Sequence, residues 1–216
     1  MKSLIVYDLD GTLVDTGEDI AQAVNHMLTR LSAAPLSLDE VRQSVGRGLH
    51  DLIRRCLKTD DEARVAQGAR LFEAYYGDHL TDHSVLYPGV RQVLEHFKTR
   101  TQAVLTNKPP PYAQDLLRAV GIAGYFLAVL AGGEASPKKP DPTALRLLMA
   151  RVRVQPQDTL LVGDSAIDVA TGRAAGVFTV IVSQGFEDPR QLRAASPDVL
   201  VKNVEALLAL AKRRGW

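Results

Sequence analysis

The first apolar run of the chain is short and rich in β-branched and aromatic residues. It consists of Leu4-Ile5-Val6-Tyr7, and it leads straight into Asp8-Leu9-Asp10-Gly11. Such a run is typical of a buried strand, and the glycine marks its end. From residue 15 to residue 84 the apolar spacing is helical instead, and it gives no convincing strand. The helices predicted there cover residues 17–32, 37–44, 49–57 and 61–80.

From Pro88-Gly89 onward, strand-like and helix-like segments alternate. The strands are predicted at residues 102–106, 126–130 (ending at Gly132-Gly133), 159–164, 177–182 and 199–201. The helices between and after them are predicted at residues 90–97, 112–120, 142–153, 167–175 and 204–213. This alternation implies a parallel sheet covered on both faces. We therefore predict an α/β fold: a Rossmann-like parallel-sheet core of residues 1–14 and 85–216, with an inserted all-helical domain at residues 15–84.

Composition narrows the class of protein without indicating a chemistry. A chain of 216 residues with 46% apolar and 24% charged residues is ordinary for a globular protein. Its net charge of +1 favours neither nucleic acid nor a membrane surface, and no apolar run reaches the length of a membrane span. The single cysteine, Cys56, excludes an internal disulfide and is expected in the core. We expect a cytoplasmic protein without a zinc site, because the five histidines show no ligand spacing with cysteine.

Two carboxylates, Asp8 and Asp10, lie at the predicted end of the first strand. Each of two neighbouring carboxylates raises the cost of ionising the other, and a cation between them removes that cost. Hard carboxylate oxygens suit magnesium, and open α/β sheets bind ligands at this edge. The alternative interpretation is an ordinary polar turn after a strand.

Other polar side chains are predicted at the same edge of the sheet. Asp8, Thr106 and Asp164 end three parallel strands, and Lys138-Lys139 follows another. Asp168 comes one helical turn after Asp164. Carboxylates, a hydroxyl and a lysine together suit phosphoryl transfer, which depends on positioning and on stabilising negative charge. More ordinary interpretations are that Asp164 is a helix N-cap and that Thr106 is a plain strand-end hydroxyl.

These polar residues lie in four segments: Asp8-Leu9-Asp10-Gly11-Thr12-Leu13-Val14-Asp15-Thr16, Leu105-Thr106-Asn107, Lys139-Pro140-Asp141-Pro142 and Gly163-Asp164-Ser165-Ala166-Ile167-Asp168. In this order, the four segments resemble the four motifs of the haloacid dehalogenase-like hydrolase superfamily. The resemblance spans the whole chain. It implies that the helical insert is a cap and that the protein is a magnesium-dependent phosphatase using an aspartyl-phosphate.

The resemblance also implies catalytic and metal-binding roles. Asp8 would be the nucleophile and Asp10 the general acid and then base. Asp8, Asp10 (through its backbone carbonyl) and Asp164 would bind the magnesium. Asp168 would act through water or by orienting Lys139. The second acid, Asp10, favours phosphatase over dehalogenase chemistry.

The phosphate itself would be held by Thr106, Asn107 and Lys139. Lys138 and Lys139 are adjacent and only one can point inward. The motif places its lysine directly before Pro140, which favours Lys139.

The cap loop Gly46-Arg47-Gly48 is the expected contact for the rest of the substrate. Arg47 would pair with a second anionic group; the alternative is a solvated loop residue. The details resemble the phosphoglycolate phosphatase-like group, which implies a small phosphate monoester. Three alternatives remain: a β-phosphoglucomutase-like mutase, a pyrophosphatase or nucleotidase of the same superfamily, and a phosphorylatable receiver-like domain. The receiver is disfavoured by chain length and by an acceptor candidate on the first strand.

Overall fold

The computed structural model describes residues 2–132 and 137–216. In this part of the chain the strands are β1 Leu4–Tyr7, β2 Val14–Asp15, β3 Val85–Leu86, β4 Thr101–Thr106, β5 Ala128–Ala131, β6 Thr159–Gly163, β7 Phe178–Val182 and β8 Val199–Val201. The helices are α1 Gly17–Arg30, α2 Leu38–Arg42, α3 Leu49–Leu57, α4 Glu62–Tyr76, α5 Val90–His96, α6 Tyr112–Ala119, α7 Thr143–Val152, α8 Ala166–Ala175, α9 Pro189–Ala195 and α10 Val204–Arg214.

The large sheet has the strand order β5-β4-β1-β6-β7-β8, and every pairing in it is parallel. Strand β1 is central, with Tyr7 in register with Val104 on one side and Val162 on the other. Side chains alternate between the two faces, so Tyr7 packs into one apolar cluster and Val6 into the other. The predicted parallel α/β core is confirmed.

The segment between β2 and β3 contains four helices, α1 to α4, which we call the helical insert. Helix α2 begins at a capping box in which the Ser37 side chain accepts from the Glu40 N–H while Glu40 accepts from the Ser37 N–H. Cys56 is buried on α3, as expected for a core residue. The apolar cluster on the Tyr7 face of the sheet continues into the insert through Ile20 and Val24.

Strands β2 and β3 and helix α9 were not predicted. Strands β2 and β3 pair antiparallel at the two joints of the insert, and each has only two residues, too few to leave a periodic pattern. Helix α9 is short and begins at Pro189, with Asp188 as its N-cap. Its one buried residue, Leu192, gives no helical repeat.

Some predicted boundaries shift. Strand β5 begins two residues later than expected, at Ala128. Of its predicted end at Gly132-Gly133, Gly133 lies outside the described residues. Within residues 2–132 and 137–216, no helix combines the length and the apolar character required to cross a bilayer.

Candidate active site

Three buried carboxylates meet at the carboxyl edge of the sheet. Asp8 follows β1, Asp164 follows β6 and Asp168 lies in the first turn of α8; one oxygen of each lies within 4.8 Å of the others. The parallel pairing of β1 with β6 brings the first two together, and the Asp8 N–H donates to the Val162 carbonyl at 2.8 Å. Ser165, not Asp164, is the N-cap of α8, so the N-cap interpretation of Asp164 is wrong.

Lys139 is the cation of this cluster. Its Nζ lies 2.7 Å from Asp8 Oδ2 and 2.7 Å from Asp168 Oδ1, and its side chain is only 2% exposed. Lys138 is half-buried and makes no salt bridge with a described residue. The lysine directly before Pro140 is therefore the one that reaches the acids.

Negative charge exceeds positive charge in the cluster. Burial, opposed by the charge of Lys139 and reinforced by that of Asp168, raises the pKa of Asp8 to about 6. Burial, followed by the charges of Asp8 and Asp168, raises the pKa of Asp164 well above its ordinary value. A divalent cation would remove this strain, and carboxylate oxygens are the donors that magnesium prefers. The residues present therefore fit a magnesium ion.

The backbone around Asp164 is packed closely against its carboxylate. Thr12 Oγ1 donates to Asp164 Oδ1 at 2.9 Å, and the Phe186 N–H donates to Oδ2 at 3.0 Å. A Cβ at Gly11 or at Gly185 would lie 2.2 Å or 2.1 Å from the same carboxylate. Gly11 also has a φ of +78°. The glycine of the Asp-x-Asp-Gly run is thus required both by its backbone conformation and by the space that Asp164 occupies.

The carboxylate of Asp10 lies apart from the three clustered acids. Its Oδ1 accepts from Thr16 Oγ1 at 2.8 Å and from Lys108 Nζ at 3.0 Å. Of the two acids that follow β1, only Asp8 therefore contributes its side chain to the carboxylate cluster, and the two side chains do not share one cation. A metal contact through the Asp10 backbone carbonyl stays a prediction.

Thr106 and Asn107 end β4 at the same edge. Thr106 is buried, and its Oγ1 accepts from the Lys108 N–H at 3.1 Å. The Asn107 amide donates to the carbonyls of Gly46 and Lys139 at 2.9 Å and 3.0 Å and accepts from the Lys139 N–H at 2.9 Å. Both amide hydrogens are engaged, so this side chain positions the lysine segment and the insert loop. A contact of Asn107 with phosphate stays a prediction.

A cavity of about 480 Å³ lies between the sheet edge and the helical insert. Its core side includes Asp8, Asp10, Thr106 and Asp164, and its insert side includes Arg42, Arg47, Arg55, Phe72 and Tyr76. Lys139 and Asp168 are buried next to the core side of the cavity, where Lys139 contacts Asp8. The cavity therefore presents acids at one end and arginines at the other.

Of the three arginines, Arg47 is the one available to a ligand. Arg42 forms a salt bridge with Asp15 at 3.1 Å, and Arg55 forms one with Asp51 at 2.8 Å. Arg47 is exposed and forms no salt bridge with a described residue. It lies between Gly46 and Gly48, whose φ values of +118° and +93° require glycine.

Two residues of the site, Lys108 and Tyr76, were not predicted from the sequence. Lys108 Nζ lies 2.6 Å from the Tyr76 phenol oxygen as well as 3.0 Å from Asp10. Burial by itself lowers the pKa of Lys108, but the negative charge of Asp10 and the contacts with Tyr76 outweigh it and keep this pKa above its ordinary value. The available signal was a lysine two residues beyond Thr106 at the same strand end. Nothing in the sequence pairs it with Tyr76 on α4.

The loop after β7 was also missed. Glu187 Oε2 accepts from the Ala166 N–H at 2.6 Å, at the start of α8. Burial raises the pKa of Glu187. Because β7 is parallel to β6, its following loop had to lie at the same edge, and that signal was available.

Comparisons with known proteins agree with this geometry. The family model described as haloacid dehalogenase-like hydrolase matches residues 5–182. A phosphoglycolate phosphatase of Pseudomonas putida is 38% identical over 96% of this chain and 79% of its own length, and one of Vibrio parahaemolyticus is 35% identical over 95% and 94%. The crystal structure of a predicted phosphoglycolate phosphatase from Haemophilus somnus superposes with a TM-score of 0.91, at 30% identity over 97% of this chain and 98% of that one. This chain belongs to the haloacid dehalogenase-like hydrolase family.

Proposed function

We propose that this protein is a magnesium-dependent phosphatase that hydrolyses a small phosphate monoester of the phosphoglycolate type through an aspartyl-phosphate on Asp8. The observation that carries the proposal is the buried contact of Lys139 with Asp8 and Asp168, at 2.7 Å each, at the acid end of the cavity. The relatives that bear the name phosphoglycolate phosphatase cover nearly the whole chain, which supports the substrate class.

The metal would be held by the carboxylates of Asp8 and Asp164 and by the backbone carbonyl of Asp10. When bound, the ion offsets the repulsion between the attacking carboxylate and the phosphate oxygens. Asp168 is assigned to Lys139, whose ammonium it contacts directly. Hydrogen bonds from Thr12 Oγ1 and from the Phe186 N–H hold the Asp164 carboxylate in place.

Two displacements at phosphorus make up the proposed reaction. A carboxylate oxygen of Asp8 attacks phosphorus, the ester P–O bond breaks, and Asp10 gives its proton to the leaving oxygen. Asp10 then takes a proton from water, the water oxygen attacks phosphorus, and the bond between phosphorus and Asp8 breaks. Inorganic phosphate leaves and both aspartates return to their starting state. Thr106 and Lys139 stabilise the transferring phosphoryl oxygens.

The leaving group would lie toward the helical insert, which acts as a cap over the acids. The insert supplies one wall of the cavity, and a lid of this kind excludes bulk water from phosphoryl transfer. A small ester with a second anion would direct that anion to Arg47, the arginine of the cavity that has no salt-bridge partner among the described residues.

A phosphate-release assay over a panel of small phosphate esters, with and without magnesium, tests the proposal. We expect magnesium-dependent release that is fastest with esters carrying a carboxylate or a second phosphate and that stops with EDTA. Sugar 1-phosphates in the same panel test for a mutase. Conversion of the sugar phosphate to an isomer without phosphate release would contradict the hydrolase assignment.

A further inference from the structure

We infer that Lys108 is a positioning residue for Asp10, and that Tyr76 of the helical insert holds Lys108 in place. The placement of the acid–base carboxylate thereby depends on helix α4 being docked against the sheet edge. This inference rests on the proposed function, since it takes Asp10 to be the group that exchanges a proton with the leaving oxygen.

The two oxygens of Asp10 have different surroundings. Oδ1 accepts two hydrogen bonds, from Thr16 Oγ1 at 2.8 Å and from Lys108 Nζ at 3.0 Å. Oδ2 has no hydrogen-bond partner among the residues that the structure describes. Asp10 lines the cavity, so Oδ2 is the oxygen left to meet a leaving group. The donors on Oδ1 fix the rotation of the carboxylate that presents Oδ2.

Lys108 is itself held by both parts of the molecule. Its side chain is 4% exposed, and a buried ammonium is stable only with well-placed partners. One partner is Asp10 of the core; the other is the phenol oxygen of Tyr76, at 2.6 Å, on the last residue of α4. The ammonium also lies 4.7 Å from the centre of the Tyr76 ring. Without Tyr76 the ammonium loses its partner on the insert side.

The Tyr76 ring packs against one aromatic residue of the core and one of the helical insert. Its ring meets Tyr112 of α6 edge-on, with centroids 5.4 Å apart, and lies 4.9 Å from Phe72 of α4. The contacts run from α4 through Tyr76 and Lys108 to Asp10. A displacement of the end of α4 therefore removes a partner from the lysine that orients the carboxylate.

The consequence for the reaction depends on the leaving group. An alkoxide needs a proton as it departs, whereas p-nitrophenolate leaves without one. A carboxylate free to rotate spends less time with Oδ2 toward the leaving oxygen, and small misplacements of a proton donor are costly. Loss of Lys108 or Tyr76 should therefore slow the first displacement for poor leaving groups more than for good ones.

The test is the leaving-group dependence of kcat/KM, which reports the steps up to the first displacement. It compares the wild type, Lys108→Met and Tyr76→Phe on phosphoglycolate, phenyl phosphate and p-nitrophenyl phosphate. We expect both variants to lose about tenfold or more in kcat/KM on phosphoglycolate relative to p-nitrophenyl phosphate, with Tyr76→Phe the smaller effect. Tyr75→Phe is the matched control, because Tyr75 stacks on His26 and His79 on the outer side of the same helix.

A selective loss in both variants, with Tyr75→Phe like the wild type, supports the inference. An equal loss on all three esters, or none, overturns it and leaves the proposed function standing. If Lys108→Met does not fold, Tyr76→Phe alone decides, since it removes a single oxygen. A wild type that releases no phosphate from any ester overturns the proposed function, and this inference with it.

Discussion

The carboxylate of Asp19 binds the main chain of Ser84 across the joint between the helical insert and the sheet. Asp19 Oδ2 accepts from the Ser84 N–H at 2.8 Å and from Ser84 Oγ at 2.6 Å, and Oδ1 accepts from the His83 N–H at 2.9 Å. The Asp19 side chain is buried at the start of α1. One carboxylate thus ties the segment that enters the insert to the segment that leaves it.

Asp19→Asn should lower the free energy of unfolding by about 1–3 kcal/mol, because an amide NH2 replaces one acceptor oxygen and faces buried donors. Urea denaturation followed by circular dichroism measures the change. Asp39→Asn, an exposed acid in the first turn of α2, is the control and should stay within about 0.5 kcal/mol of the wild type. A loss from Asp19→Asn no larger than that of the control would mean that the joint does not depend on this carboxylate.

Magnesium should stabilise the wild type more than Asp164→Asn. Binding to the folded state alone raises Tm, by about 5–10 °C for a protein of this size when the ion is near 100 times its Kd. Thermal unfolding with and without magnesium measures this independently of activity. In Asp164→Asn the increase should fall to a small fraction, because one of the three clustered carboxylates is gone. Asp141→Asn, an exposed acid two residues beyond Lys139, should keep the full increase.

An equal magnesium-dependent increase in Asp164→Asn and the wild type would place the ion elsewhere. The same experiment without magnesium gives a second check. Asp164→Asn should lose less stability there than Asp19→Asn, because the relief of repulsion from Asp8 and Asp168 offsets the hydrogen bond lost to Thr12 or to Phe186.

Arg47→Ala should raise KM about tenfold or more for phosphoglycolate while leaving p-nitrophenyl phosphate nearly unchanged. A charge-assisted hydrogen bond to a carboxylate is worth about 1.5–3 kcal/mol, and only the first substrate carries that carboxylate. Steady-state kinetics on both esters measures the difference. Arg64→Ala, an exposed arginine on α4, controls for loss of charge. Parallel effects on the two substrates would remove Arg47 from recognition.

Much of the fold was predictable because its elements have strong local signals. The run at Leu4–Tyr7 and the helix at Leu49–Leu57 have the bounds that their apolar patterns gave. The edge strand Val199–Val201 was found in the same way. Strands β2 and β3 were not predicted, because the only evidence for them is their pairing with each other. Val14 pairs with Leu86 and Asp15 with Val85.

The residues of the candidate site were also predictable only where the sequence carries a local signal. Asp8 and Asp164 were placed together because parallel strands share a carboxyl edge, and Asp168 was added because it lies one helical turn after Asp164. The partners of Asp10 were not predictable in this way. Its contact with Lys108 joins residues 98 positions apart, and the Tyr76 phenol that completes it comes from a helix whose docking no local pattern encodes. The same holds for Asn107, whose amide turns out to bind Lys139 and Gly46.

Acid-quenched turnover followed by peptide mass spectrometry tests whether Asp8 carries the phosphoryl group. We expect the wild type, quenched during turnover of a small phosphate ester with magnesium, to carry one phosphoryl group on the peptide containing Asp8. We expect Asp8→Asn, shown to be folded by circular dichroism, to carry none and to release no phosphate. Phosphate release by Asp8→Asn at a rate near that of the wild type, or a phosphoryl group on another residue, would contradict Asp8 as the nucleophile.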